Sequence, residues 1–161
     1  MIADLTSAQV WEVIEKQNFG VLGMVTAKHE ARTTGIVYIL GGRRLYIGTW
    51  TSMWKVRHVK QNPHVSVTIP IHKRVPFMPW IKVPAATITF SGEADVIAAL
   101  DAPRELLEKL YHGVASDEQE MARYSLIEVT PRGEFLTYGI GMSVLGMRDP
   151  QKARQRVPVD A

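Results

Sequence analysis

A chain of 161 residues, 46% hydrophobic and 22% charged, has the size and composition of one globular domain, which excludes a fibre or a disordered tail. It contains no cysteine, so disulfides, thiol nucleophiles and zinc-thiolate sites are ruled out together, and a reducing, cytoplasmic setting is expected. The net charge of +3 is a mild basic excess that matters only where it is concentrated: at Lys55, Arg57 and Lys60, at Lys73 and Arg74, and in the tail at Arg148, Lys152, Arg154 and Arg156.

The first residues, MIADLTSAQVWEVIEKQN, mix acids with apolar positions and do not read as a signal peptide. No later stretch approaches the roughly 20 apolar residues of a membrane span, so a soluble protein is expected. Thr6 or Ser7 can cap a helix whose apolar side is Val10, Trp11, Val13 and Ile14. FGVLGMVTA (19–27) reads as a buried strand. ARTTGIVYIL reads as a second strand, leading to a Gly41-Gly42 hairpin that RRLYIGTW closes. A short basic helix follows, and HVSVTIP then alternates, with Val65, Val67 and Ile69 on the core face. Residues 71–84 hold three prolines without periodicity and read as a long connection. ATITFSGEADVI (86–97) alternates Ile88, Phe90, Gly92, Ala94 and Val96 against Thr87, Thr89, Ser91, Glu93 and Asp95. Asp101 and Pro103 signal a helix with the stripe Leu106, Leu107, Leu110 and Val114, ending near Gly113. SLIEVTP and EFLTYGIG read as the last two strands, joined across Pro131-Arg132-Gly133, with an unassigned tail after Gly141. The pattern predicts a mainly β domain spanning 1–161, with a core at about 5–140 and a tail at 141–161. It has about six or seven antiparallel strands and N-terminal, middle and C-terminal helices, arranged as a small barrel rather than a parallel sheet.

Residues 49–61 are the chemically suggestive stretch. Thr51 or Ser52 can cap the short helix, and the amides beyond the cap have no intrahelical partner. Ser52 and Lys55 are three apart and share a side, so hydroxyl, amides and ammonium can converge on one anion. Helix chemistry alone leaves this open beside a capped surface turn with a solvated lysine.

The ordered set FGVLGMVTA, RTTGIVY, GGRRLYIGT and SMWKVRHVKQNPHVSV resembles the FMN-binding split-barrel superfamily related to pyridoxamine 5'-phosphate oxidase. The match covers roughly residues 5–97 and is densest from Phe19 to Val67. The resemblance implies an antiparallel split β-barrel, a homodimer with FMN at its interface, and flavin-mediated transfer of hydride or electrons to a small-molecule substrate from a nicotinamide or other reductant. It implies that Lys55 binds the flavin phosphate. Thr49, Trp50 and Thr51 would line the ribityl chain and ring, Thr34, Gly35, Ile36 and Val37 would lie along the isoalloxazine, and Ser52 and Trp54 complete the cofactor-binding set. Arg32 is a further donor, although as the start of a strand it reads equally as a solvated charge. Met53 and Trp54 stand where the family is more polar, which shifts the phosphate site towards Ser52, Thr51 and backbone amides. The chain shows no counterpart of the arginine-rich, tryptophan-containing C-terminal segment that holds substrate in pyridoxamine phosphate oxidases, so another substrate is expected. No catalytic side chain is named.

A non-catalytic protein that binds or stores flavin is an alternative to the oxidoreductase reading, and three further alternatives stand beside FMN. Deazaflavin F420 would use the same phosphate site, with Lys73, Arg74 and Lys82 for its acidic tail. Haem would need an axial ligand such as His64 or His72. Nucleic-acid binding would use the basic tail, but no strand interleaves aromatic and basic residues as such binders do. The five histidines lack metal-ligand spacing, so no metal is expected. Glu93 and Asp95 read as solvated acids. Trp80 reads either as stacking on a ring or substrate or as packing under its loop, and the Met142 and Met147 region reads as cover for apolar surface.

Overall fold

A computed structural model describes residues 5–73, 77, 80, 83, 85–112 and 117–160. Helix α1 (Ser7–Glu15) starts where the sequence places it. Thr6 accepts from the Gln9 amide while Gln9 returns a bond to the Thr6 amide, a reciprocal cap that satisfies two otherwise free donors. Its Val10, Trp11 and Ile14 are buried.

Strands β1 (Phe19–Val25) and β2 (Ala31–Val37) form a hairpin, with Leu22 opposite Thr34 and Met24 opposite Arg32. The expected single strand ARTTGIVYIL is broken at Tyr38. Its amide bonds Asn18 at 3.0 Å and its hydroxyl donates to the Ile14 carbonyl at 2.9 Å, which anchors the chain to the end of α1. Burial raises this phenol's pKa. Strand β3 (Ile39–Gly41) then turns through Gly42 and Arg43 into β4 (Arg44–Trp50). Both turn residues have positive φ, 55° and 60°, as a two-residue hairpin matched to strand twist requires.

Helix α2 (Trp54–Gln61) leads to β5 (His64–Ile71), and β6 (Ala86–Ala98) pairs with it along its whole length. The alternation read in β6 holds: Ile88, Phe90, Gly92 and Ala94 are buried between exposed or half-buried partners. Most of the 71–84 connection lies outside the described residues, including Arg74 and Lys82. Helix α3 (Arg104–Leu110) begins after Pro103 without the expected Asp101 cap, because Asp101 belongs to a preceding 3-10 turn. It ends at Leu110; Gly113 and Val114 lie outside the described residues. Helix α4 (Glu118–Met121) is capped by the Asp117 carboxylate.

The two expected last strands are one, β7 (Tyr124–Tyr138). Pro131-Arg132-Gly133 makes no hairpin. The register passes from Thr89 opposite Leu136 to Ser91 opposite Arg132, so the extra β7 residues form a bulge, and Gly133 absorbs it at φ 73°. The tail left unassigned from sequence also folds. Helix α5 (Pro150–Ala153) feeds β8 (Arg154–Pro158), which pairs with the end of β7. Val157 and Val159 join the main core, so that core runs past residue 140.

The sheet is antiparallel throughout, in the order β2-β1-β5-β6-β7-β4-β3, with β8 on β7 beyond β4. It curls into a half-barrel of seven strands, as the split-barrel expectation requires. Phe135 lies at the centre, with Trp11 and Phe90 edge-on at 5.3 and 5.5 Å. No helix among the described residues is long and apolar enough to cross a membrane.

Candidate functional site

The site is built where β4 ends and α2 begins. The Thr51 amide still pairs with the Arg123 carbonyl at 2.9 Å, and its hydroxyl shares a 2.8 Å hydrogen bond with Ser125 of β7. A tight turn from Trp50 to Met53 follows, so the cap position falls on Met53, which has no side-chain acceptor to offer. Neither Thr51 nor Ser52 caps the helix, contrary to the sequence reading: Thr51 is turned towards β7, and Ser52 stands one residue too early. The consequence favours a ligand. The Trp54 and Lys55 amides have no acceptor among the described residues, leaving partial positive charge at the helix start. Lys55 is half-buried, burial lowers its ammonium's pKa, and no carboxylate pairs with it among the described residues.

Register settles the β2 residues. Arg32, Thr34 and Ile36 share one face and Thr33, Gly35 and Val37 the other. Ile36 is buried in the core, while Val37 is 63% exposed, so Thr34–Val37 do not present four side chains to one ligand. The Phe19 ring lies over Gly35, where a Cβ would stand 3.2 Å from it.

Five of the expected residues, Arg32, Trp50, Thr51, Ser52 and Trp54, line two hollows, and Thr34 to Val37, Thr49 and Lys55 line neither. Arg32, with Thr26, Lys28 and Glu30 from the β1–β2 turn, faces Trp54 and His58 of α2 across a cleft of about 480 Å³. Arg32 pairs with Glu30 at 3.4 Å, and Trp54 stands edge-on to His58 at 5.5 Å. The buried Nδ1 of His58 has no hydrogen-bond partner among the described residues. Trp50, Thr51 and Ser52 meet Glu120 and Arg123 around a second hollow of about 470 Å³. Lys55 lines neither hollow. Thr49 is buried and offers only backbone, and that amide is taken by the Tyr111 hydroxyl at 3.1 Å.

His58, Glu120, Arg123 and Tyr111 were not singled out from sequence. The last three reach the site through the pairing of β4 with β7 and the packing of α3, which no local motif reports. His58 alone had a local signal, since it lies four residues after Trp54 on one helix face. Elsewhere, Lys73 donates to the Met142 carbonyl, and burial lowers its pKa. Glu93 pairs with Arg132 at 3.0 Å. His64 and His72 are exposed. Trp80 is 75% exposed rather than packed under its loop, whereas Met147 is buried, as read. Among the described residues no three His, Asp or Glu side chains cluster at metal-binding range.

Similar folds recur among solved structures. An FAD-binding protein from Mesorhizobium loti is 12% identical at a TM-score of 0.62, over 80% of this chain and 91% of that one. An F420 reductase is 18% identical at 0.53, over 77% and 93%. The heme storage protein from Vibrio cholerae is 12% identical at 0.64, over 83% and 95%. At such identities the likeness shows the fold alone. No curated protein sequence matches the chain. The family model described as pyridoxamine 5'-phosphate oxidase matches residues 6–138, from the cap of α1 to the end of β7. The chain therefore belongs to the pyridoxamine 5'-phosphate oxidase family of split barrels.

Proposed function

We propose that the protein binds FMN noncovalently and is an oxidoreductase that acts on a small molecule, using a nicotinamide or another reductant. The observation that carries this reading is Lys55: a half-buried ammonium with no acidic partner among the described residues, beside two free amides at the start of α2. A phosphate placed there satisfies both amides and supplies the counter-charge that the ammonium lacks. Arg32 across the Trp54 cleft adds a second cation. The ribityl chain follows the backbone of Thr49 and the hydroxyls of Thr51 and Ser52, with Trp50 beside them. The ring follows β2, using the backbone of the edge strand at Gly35 and one face at a time of Thr34 and Val37. Bound flavin supplies the redox chemistry, and these residues hold and orient it.

A homodimer completes this reading. β2 ends the sheet path, and its neighbour's Phe19 is 46% exposed opposite Val37, an apolar edge that a second copy would cover.

The deciding experiment is the absorption spectrum of the purified protein, with release and mass measurement of what is bound, followed by reconstitution with FMN. Flavin bands are expected. A deazaflavin spectrum would move the assignment to F420, a Soret band to haem, and failure to take up FMN would sink the proposal. Sedimentation analysis should give a dimer that Val37→Glu weakens.

A further inference from the structure

The cleft between α2 and the β1–β2 turn has more room than a phosphate needs. Its volume of about 480 Å³ falls within the roughly 300 to 1,000 Å³ of small-ligand sites. One wall belongs to α2. Trp54 and His58 are four residues apart and share a side of that helix, and their rings meet at 63° as a corner rather than a closed stack. The opposite wall is the β1–β2 turn, held in shape by Thr26, whose hydroxyl accepts from the Lys28 and Glu30 amides at 3.2 Å each. The turn brings two cations to the cleft, Lys28 and Arg32, against one carboxylate, Glu30. Glu30 pairs with Arg32, and Lys28 is exposed with no carboxylate partner among the described residues.

His58 leaves this corner chemically open. Its enclosed Nδ1 has no acceptor among the described residues, so the neutral ring carries its proton on Nε2, and that edge makes no hydrogen bond among them either. The cleft therefore offers an aromatic wall, a ring N–H donor and a cationic rim. Trp54 links it to the start of α2, because its amide is one of the two free donors there while its indole lines the cleft. A substituent on a phosphate held by that amide has the cleft as its nearest enclosed space.

We infer that the cleft holds the adenylate half of a flavin dinucleotide, so that FAD is preferred over FMN. The inference rests on the reading of Lys55 and the α2 amides as the flavin-phosphate site. In FAD that phosphate is joined to a second one, which Lys28 and Arg32 neutralise. The adenine lies against Trp54, and His58 Nε2 donates to one of its ring nitrogens. FMN ends at its phosphate and leaves these groups to water.

Protein stripped of bound cofactor and titrated separately with FAD and FMN, followed by flavin fluorescence anisotropy, tests this. FAD should bind about tenfold tighter than FMN or better, as one base stacked on an aromatic side chain provides. His58→Leu removes the donor and should weaken FAD about fivefold while FMN keeps its Kd, as loss of one hydrogen bond confined to the adenylate half requires. Lys28→Ala, on an exposed turn where folding is not at stake, should also weaken FAD and spare FMN. Equal affinity for the two flavins, or His58→Leu and Lys28→Ala variants that bind FAD as well as the parent or lose both flavins alike, would overturn the inference and leave the phosphate reading standing. Uptake of neither flavin would overturn both.

Discussion

The Tyr111 hydroxyl accepts the Thr49 N–H at 3.1 Å and donates to the Ser125 carbonyl at 3.2 Å, so one phenol stands at a rung of the β4–β7 ladder. Gly48 makes room for it, because a Cβ there would stand 2.8 Å from the hydroxyl. Burial pushes the phenol's pKa up to about 12, so it keeps its donor proton through the ordinary pH range. Tyr111→Phe should therefore cost about 1 to 3 kcal/mol in urea unfolding, the penalty of leaving buried backbone groups unpaired. Because Thr49 opens the proposed ribityl contact, the same variant should also loosen FMN.

Lys55 gives a prediction on ligand binding and one on pH. Lys55→Ala should weaken FMN by roughly 1.5 to 3 kcal/mol in a fluorescence titration, as loss of a charge-assisted contact does. Unchanged affinity would remove Lys55 from the site.

In the free protein, burial holds this ammonium below its ordinary 10.5. Between the lowered value and the unfolded one the unfolded chain binds more protons, so the lysine's contribution to stability rises with pH across that window. Lys55→Met should be at least as stable as the parent at neutral pH, with an advantage that shrinks as pH approaches 10.5; urea melts over a pH series would show it. A bound phosphate favours the charged form, so FMN affinity should fall as pH rises through the lowered value.

The tail should behave as core. Val157→Ala removes two buried methyl groups and should cost about 2 kcal/mol, while Phe135→Ala, between Trp11 and Phe90, should cost about 3 to 5 kcal/mol. A Val157→Ala midpoint equal to that of the parent would return the tail to the surface.

Gly133→Ala isolates the bulge. Nothing lies within 4 Å of the added Cβ, so the cost is that of φ 73° alone, about 1 kcal/mol, read from the same melts.

Strands with one clean buried face were legible in the sequence. β5 and β6 show period two without interruption, and Thr6 with Gln9 announces α1 by a purely local bond pair. β8 was not legible, because Val157 is its one buried apolar residue, with Val159 just beyond its end, and only pairing with β7 makes these core. The bulge was misread as a turn because Pro-Arg-Gly carries hairpin chemistry, while the partner strand β6 continues past it and keeps β7 straight enough to pair. At the candidate site, the order of strand end, lysine and short helix was legible, as the end of β4 and the start of α2. The identity of the cap did not follow from it, since the turn after Trp50 decides where helical geometry begins. The cleft between Arg32 and Trp54 depends on α2 lying against the β1–β2 turn, a tertiary arrangement with no sequence period of its own.

The Ser7 hydroxyl donates to the Val159 carbonyl at 2.7 Å, and the Leu5 amide to the Gln155 side chain at 2.9 Å, across 152 and 150 positions of chain. During synthesis on the ribosome α1 emerges well before the strand that receives it. Its buried Val10, Trp11 and Ile14 must wait exposed while the intervening strands are made, which makes this helix the natural contact for a chaperone on the nascent protein. Protease resistance should accordingly appear late and all at once, when β8 clears the exit tunnel and closes the ring between the two ends of the fold.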